Sequence, residues 1–312
     1  MSVDAKIEFP VIEFRSSDLE RGTDGWHRLC NKVREACETF GCFEVVYDTI
    51  STEVREEMFR LMKELVEVPV ERKQKNVLPP PSYGWVGPGS HVSPLYEGFG
   101  LGDVSNYDSV KNFTQLMWPE ESKKSFPLFD LLSQRHCTYH GNTIGGAKQV
   151  NLKNYITIMR MMKYMPPPPG ENEIRFFPHT DKPISTLICE NQIPGLEIEV
   201  NNGQWIKLTN LSPSFVFLVG DLLMSNGRLK LGKHRVMIRE DKDRFSIAAF
   251  VFPNKGTIIK TPKELIDEQH PRVFKDFDFM EFYSFVFSDP ARSRDSGQLL
   301  YEFAVLTPPV SN

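Results

Sequence analysis

His179-Thr-Asp181 is the only H-x-D or H-x-E in a chain with seven histidines. On a strand, residues i and i+2 project from one face, so imidazole and carboxylate can converge on a single ion. A third donor must come from another strand. His234, within Gly232-Lys-His-Arg-Val236 at the start of a predicted strand, can supply it. Two histidines and one carboxylate on one side of a metal leave positions open on the other, an arrangement suited to iron(II). Zinc accepts the same donors, and a lone H-x-D is otherwise a hydrogen-bonded loop pair.

Arg244-Phe-Ser246 follows on the next predicted strand, and the same period puts Arg244 and Ser246 on one face. A guanidinium fork beside a hydroxyl matches the far carboxylate of a dicarboxylic acid; taken alone, Arg244 reads as an ordinary surface arginine. Phe250 shares that face and is a candidate for the substrate pocket or for the core. Of Phe176 and Phe177, the alternation selects Phe177 to point inward with the ligands. His136 and His140 have helical ligand spacing but no flanking helix pattern, so a metal role is disfavoured. Gly98-x-Gly100 lacks the third glycine and the strand-to-helix context of a nucleotide loop, and reads as a turn. Pro166-Pro-Pro-Pro169 reads as a connection between strands rather than a recognition segment.

The elements that must position these groups are legible in part. Phe9–Phe14 predicts a strand. From Trp26 the apolar residues Leu29, Cys30, Val33, Ala36, Cys37 and Phe40 predict an amphipathic helix stopped by Gly41. Cys42–Tyr47 predicts a strand, and Ser51 caps a helix bearing Val54, Met58, Leu61, Met62 and Leu65. Residues 76–110 are rich in Pro, Gly and Ser and predict irregular structure with at most short strands. Residues 111–150 are the least legible part of the chain: a helical start over 122–132 gives way to His136–Gly146, where no period survives.

Beyond residue 153, short β-rich runs follow one another: Tyr155–Tyr164, Thr186–Cys189, Gly195–Val200, Trp205–Leu208, Phe215–Val219, His234–Arg239 and Phe245–Phe252. Asn201-Asn-Gly203 predicts a hairpin turn, and Phe279–Phe287 a terminal helix. The spacing predicts an all-β barrel or sandwich. The chain divides at residue 152 into an α/β region (1–152) packed on a barrel with a C-terminal helix (153–312).

With 40% hydrophobic and 25% charged residues over 312 positions, the composition is that of a globular protein with a large core. A net charge of −4 gives no global attraction to nucleic acid or anionic membrane. The N-terminus has no apolar signal region, and no apolar run is long enough to span a bilayer. Five cysteines without C-x-x-C spacing predict reduced thiols in a cytoplasmic protein.

The combination resembles the plant-type 2-oxoglutarate- and Fe(II)-dependent dioxygenases. The motifs that carry the likeness are His179-Thr-Asp181, Gly195-Leu-Glu-Ile198, Gly220-Asp-Leu222, Ser225-Asn-Gly-Arg228, His234-Arg-Val236 and Arg244-Phe-Ser246. Phe9–Phe14 and Arg34–Phe43 carry it in the first half. Met117-Trp-Pro119, Arg160–Tyr164 and His270–Phe274 look most like the AOP group, which modifies glucosinolate side chains, and related steroidal-alkaloid hydroxylases.

The resemblance implies a mainly β fold, a double-stranded β-helix (jelly roll) with helices outside. It implies Fe(II) on His179, Asp181 and His234, and 2-oxoglutarate held at its far end by Arg244 and Ser246 with help from Tyr164. O2 is the oxidant, ascorbate a supportive reductant, and succinate and CO2 the co-products. The implied substrate is a small, largely apolar plant specialised metabolite, and the implied assembly a monomer. Many relatives carry Asn where this chain has Met162, which removes one polar contact to the co-substrate. Two other readings remain: a catalytically silent binding protein on the same barrel, and an iron oxidase that needs no 2-oxoglutarate.

Overall fold

The computed structural model describes residues 8–47, 51–81, 83–90, 94–120, 154–170, 173–200, 203–208, 214–289 and 298–306. The N-terminal part supplies β1 (Val11–Phe14), α1 (Asp24–Thr39), β2 (Cys42–Tyr47), α2 (Thr52–Val66), α3 (Val70–Lys73), β3 (Trp85–Val86), β4 (Tyr96–Asp103) and α4 (Tyr107–Met117). Then come β5 (Tyr155–Tyr164), β6 (Ile174–His179), β7 (Ser185–Glu190), β8 (Leu196–Glu199), β9 (Trp205–Lys207) and β10 (Phe215–Val219). The chain continues through β11 (His234–Met237), β12 (Arg244–Pro253), β13 (Ile258–Ile259), β14 (Phe277–Asp278), α5 (Phe279–Phe287) and α6 (Leu299–Ala304).

The helices begin where capping side chains satisfy free N–H groups. Thr23 accepts from Trp26 N, Ser51 from Val54 N, and Asp278 from Met280 N and Glu281 N. In α1 the residues Trp26, Leu29, Val33, Ala36 and Cys37 are all buried, which fulfils the predicted stripe. Gly41 ends the helix at φ +72, with the Lys230 and Leu231 backbone where a Cβ would stand.

A sheet of eight strands, β1-β2-β10-β7-β12-β5-β4-β3, faces a sheet of four, β6-β11-β8-β9. Strands β5 to β12 pass between the two sheets, and their ladders are all antiparallel. That is a jelly roll. Between the sheets lie Met162, Tyr164, Ile188, Val216, Leu218 and Ala248 from the larger and Leu196, Ile198 and Val236 from the smaller. The other face of the large sheet packs on α1, α2 and α4 through Phe43, Phe99, Met159, Met161, Phe215, Phe217 and Phe245. Each such side chain, fully buried, contributes roughly 1.5–3 kcal/mol against the entropy of ordering the chain.

Two expectations are corrected. Residues 76–110 are not mainly irregular: they contain the eight-residue β4, paired along its length with β5, and the start of α4. Gly98-x-Gly100 is not a turn but the middle of β4. Three glycines in one strand depress its β propensity and hid it from the pattern. The expected helical start at 122–132, the His136–Gly146 stretch with Cys137, and Asn201 and Asn202 lie outside the described residues. Gly203 takes φ +80 between β8 and β9, and Pro166–Pro169 connect β5 to β6. Cys30, Cys37, Cys42 and Cys189 are free thiols.

Candidate active site

β6 and β11 meet at a bulge. His234 pairs with His179 and Val236 with Phe176, so Arg235 alone on β11 opposes both Phe177 and Pro178 on β6. Pro178, which has no N–H to give a ladder, stands in the extra stretch. The bulge places Phe176 and His179 on the inner face, and their rings lie 4.6 Å apart. Phe177 is thrown outward and is 55% exposed. The expectation that Phe177 lines the site is thereby corrected, because the added residue inverts the alternation on which it rested.

His179 and His234 stand side by side, with ring centroids 4.2 Å apart. Each donates its Nδ1 hydrogen to the carbonyl two residues back: His179 to Phe177 O over 2.8 Å, His234 to Gly232 O over 2.9 Å. A carbonyl can only accept, so each ring carries a hydrogen on Nδ1 and turns its Nε2 the other way. Those Nε2 atoms lie 3.6 Å and 3.9 Å from Asp181 Oδ1. One ligand atom from each residue falls within 4.8 Å of the others, close enough to surround one ion.

Asp181 does not share a strand with His179. β6 ends at His179, and Asp181 lies in the turn beyond it. Tertiary contacts position it instead. Buried Thr186 on β7 donates its hydroxyl to Asp181 Oδ2 over 2.5 Å. Asp221 N donates to the Asp181 carbonyl over 2.8 Å, and Lys182 Nζ donates to Asp221 Oδ2 over 2.7 Å. Gly220 must be glycine here, since a Cβ would meet Pro183 O at 2.1 Å.

Burial alone would raise the Asp181 carboxyl, but the imidazoles and the Thr186 hydroxyl outweigh it and hold it well below the usual carboxylate range. Burial, with His179 adjacent, pushes His234 down to about 4. The cluster therefore offers a carboxylate facing two imidazole Nε2 atoms. That donor set fits a divalent iron with open positions opposite.

Arg244 and Ser246 lie on the inner face of β12, and both are 1% exposed. Arg244 Nη1 donates to Ser246 Oγ over 3.2 Å, and the guanidinium sits 5.1 Å from the Tyr164 ring. Glu190, which the sequence analysis does not single out, pairs with this arginine. Arg244 Nε and Nη2 both donate to Glu190 Oε2, over 2.8 Å and 2.5 Å. A guanidinium has five N–H groups, so these bonds leave one hydrogen on each terminal nitrogen, the end-on fork that grips a carboxylate. Gly195 leaves room for the stem, since a Cβ there would stand 2.6 Å from Arg244 Cδ. The Tyr164 hydroxyl turns to Met162 Sδ, 3.6 Å away.

Phe250, half-buried, lies opposite Thr186 on β7 and Ile158 on β5, on the face of Arg244 and Ser246. Sequence reading missed Thr186, Glu190 and the Lys182–Asp221 pair. A signal existed only for Glu190: an acid closing the buried run Ser185–Glu190, where a lone charge would be costly.

A jelly roll that gathers two imidazoles, a carboxylate and a buried arginine–serine clamp defines an iron(II) oxygenase that uses a diacid co-substrate. The comparisons agree. Residues 152–253 match the 2OG-Fe(II) oxygenase superfamily, and residues 9–127 match the family described as non-haem dioxygenase in morphine synthesis N-terminal. The chain is 33% identical to the probable 2-oxoglutarate-dependent dioxygenase AOP1 of Arabidopsis thaliana over 95% of this chain and 96% of that one. Among solved structures it resembles the rice dioxygenase for auxin oxidation, with TM-score 0.77, 26% identity and coverage of 95% of this chain and 100% of that one. The Arabidopsis thaliana dioxygenase for auxin oxidation 1, with 2-oxoglutarate bound, gives TM-score 0.75 and 26% identity, covering 85% and 100%. This chain belongs to the 2-oxoglutarate-dependent Fe(II) oxygenases. It is an AOP-like dioxygenase that uses iron and 2-oxoglutarate.

Proposed function

We propose that this enzyme hydroxylates a small, largely apolar metabolite at a C–H bond, with His179, Asp181 and His234 holding the iron. The observation that carries this reading is the apolar setting of the ligand set, with the Phe176 ring against His179 and Phe250 beside Thr186. The bound iron supplies the centre at which O2 and 2-oxoglutarate react and the oxidising power for the C–H bond.

The chain's own residues do the rest. Thr186 keeps one Asp181 oxygen turned to the histidines. Arg244 and Ser246 fix the far carboxylate of 2-oxoglutarate, over the Tyr164 ring and braced by Glu190. Phe176 and Phe250 orient the substrate and keep water from the reacting centre. Ascorbate would support the iron in vitro. We propose further that the protein works as a cytoplasmic monomer without nucleic-acid or membrane partners; among the described residues no helix is long and apolar enough to cross a membrane.

The test is incubation of the iron-loaded protein with 2-oxoglutarate, O2 and fractionated metabolite extracts. The expected result is succinate release matched by a small molecule that gains one oxygen atom. Oxygen uptake indifferent to 2-oxoglutarate, or a product formed only on a polymer, would overturn the reading.

A further inference from the structure

A cleft of about 710 Å³ lies between α2, the ends of β5 and β12, and the loops that follow β7 and precede β12. Its volume is that of a small-molecule site. Buried Arg55, Phe59 and Phe245 form its floor, and half-buried Val66 and Ile193 stand at its sides. The cleft is on the opposite face of the sheet from the barrel interior. Phe59 and Phe245 belong to the layer under the helices, whereas Tyr164 packs between the two sheets and Arg244, next to Phe245, faces inward with it.

Arg55, on α2, is 5% exposed. Its Nη2 donates to the Glu190 carbonyl, it hydrogen-bonds the Cys189 thiol, and its guanidinium carbon lies 5.4 Å from the Phe59 ring centroid. None of these partners is an acid. The Arg55 Nε hydrogen has no hydrogen-bond partner among the described residues. Buried Arg244 and buried Lys73, by contrast, each have a carboxylate, from Glu190 and Glu97. A charge withdrawn from water is costly unless it is paired, and among the described residues no carboxylate pairs with Arg55.

The remaining charges of the cleft do not supply the missing partner. Lys163 is matched by Asp243 at 3.0 Å. Lys63 and Lys242 stand against Glu56 and Glu67 at the mouth, all four exposed and therefore screened by salt. That leaves Arg55 as the uncompensated charge at the floor. A guanidinium stays charged at any working pH and takes carboxylates on its planar fork. The two phenylalanines and Ile193 beside it offer apolar surface to the rest of such a molecule.

We propose that this cleft is a second ligand site, which binds a small organic carboxylate on Arg55 with its apolar body against Phe59, Ile193 and Phe245. The site is distinct from the diacid clamp and from the substrate pocket, and it does not depend on the oxygenase reading.

The experiment is isothermal titration calorimetry on full-length protein loaded with Mn(II), to prevent turnover, and with 2-oxoglutarate at saturation, to fill the clamp. The probes are 4-phenylbutyrate and octanoate, each beside its neutral amide. The acids are expected to bind at least tenfold more tightly than the amides. Arg55→Gln should weaken acid binding at least tenfold. Lys63→Glu, a change on the exposed rim, should weaken it severalfold, and Ile193→Trp should block it by filling the cleft. If Arg55→Gln shows no cooperative melting, the two rim variants decide. Equal binding of acid and amide, including none of either, overturns the proposal. So does an acid preference untouched by Lys63→Glu and Ile193→Trp, which would put the acid in the barrel, or one that fades as 2-oxoglutarate is raised further, which would put it on Arg244.

Discussion

Thr186 gives its hydroxyl hydrogen to Asp181 Oδ2 across 2.5 Å, while Oδ1 of the same carboxylate faces both imidazole Nε2 atoms. The two oxygens therefore have separate surroundings, one held by the barrel wall and one turned to the histidines. Thr186→Val keeps the volume and removes the bond. It should weaken iron binding or turnover by roughly 10–100-fold, as loss of a group that orients a metal ligand does. Iron titration followed by succinate assay checks this, with far-ultraviolet circular dichroism to confirm the fold. An unchanged iron affinity would mean that Asp181 orients itself.

Asp181→Ala and His179→Ala each remove one donor from the cluster. Both should lose stoichiometric iron and 2-oxoglutarate turnover. Metal content after anaerobic reconstitution, read beside activity, separates loss of the ion from loss of the fold. Near-normal activity in the Asp181 variant would reject the triad.

Arg244→Ala should raise the KM for 2-oxoglutarate far more than the requirement for iron. It should also destabilise the protein by about 3–5 kcal/mol, because Glu190 would be left as a buried, unpaired charge. The expected sign reverses for Glu190→Gln. That variant keeps an acceptor for Arg244 but removes the negative charge beside the incoming carboxylate, so the KM for 2-oxoglutarate should fall severalfold. Steady-state kinetics on both variants, with melting curves, reads the pair; a raised KM in the glutamine variant would show that the brace on Arg244 matters more than its charge.

Gly195→Ala would put a Cβ 2.6 Å from Arg244 Cδ and 3.0 Å from Ile238 Cδ1. The arginine is tied to both Glu190 and Ser246 and has little room to move. Overpacking of this kind costs about 1–3 kcal/mol, and the KM for 2-oxoglutarate should rise with it. A lowered Tm with unchanged KM would place the strain elsewhere.

Phe250→Ala should change which substrates are accepted while 2-oxoglutarate decay without substrate continues. Product profiles from a mixed extract, compared with wild type, test it. Loss of the uncoupled decay would assign Phe250 to the core rather than to the pocket.

Much of the fold is local and was therefore readable. The stripe from Trp26 to Phe40 became α1, Phe215–Val219 became β10, and Phe279–Phe287 became α5, because periodicity and caps act within a few residues. β4 was not readable. Its glycines break the alternation, and its strand character comes from pairing with β5, more than fifty residues away.

By residue type and order alone, the chain determined that His179, Asp181 and His234 could share an ion and that Arg244 and Ser246 could face the same way. Tertiary structure decided how these groups are aimed. The β6 bulge turned Phe176 inward and Phe177 outward, Thr186 settled which Asp181 oxygen meets the histidines, and Glu190 braced the arginine. The physical reason lies in range. Alternation propagates from one residue to the next and is reversed by a single extra residue, whereas Glu190 and Arg244 meet only when antiparallel strands β7 and β12 are laid side by side.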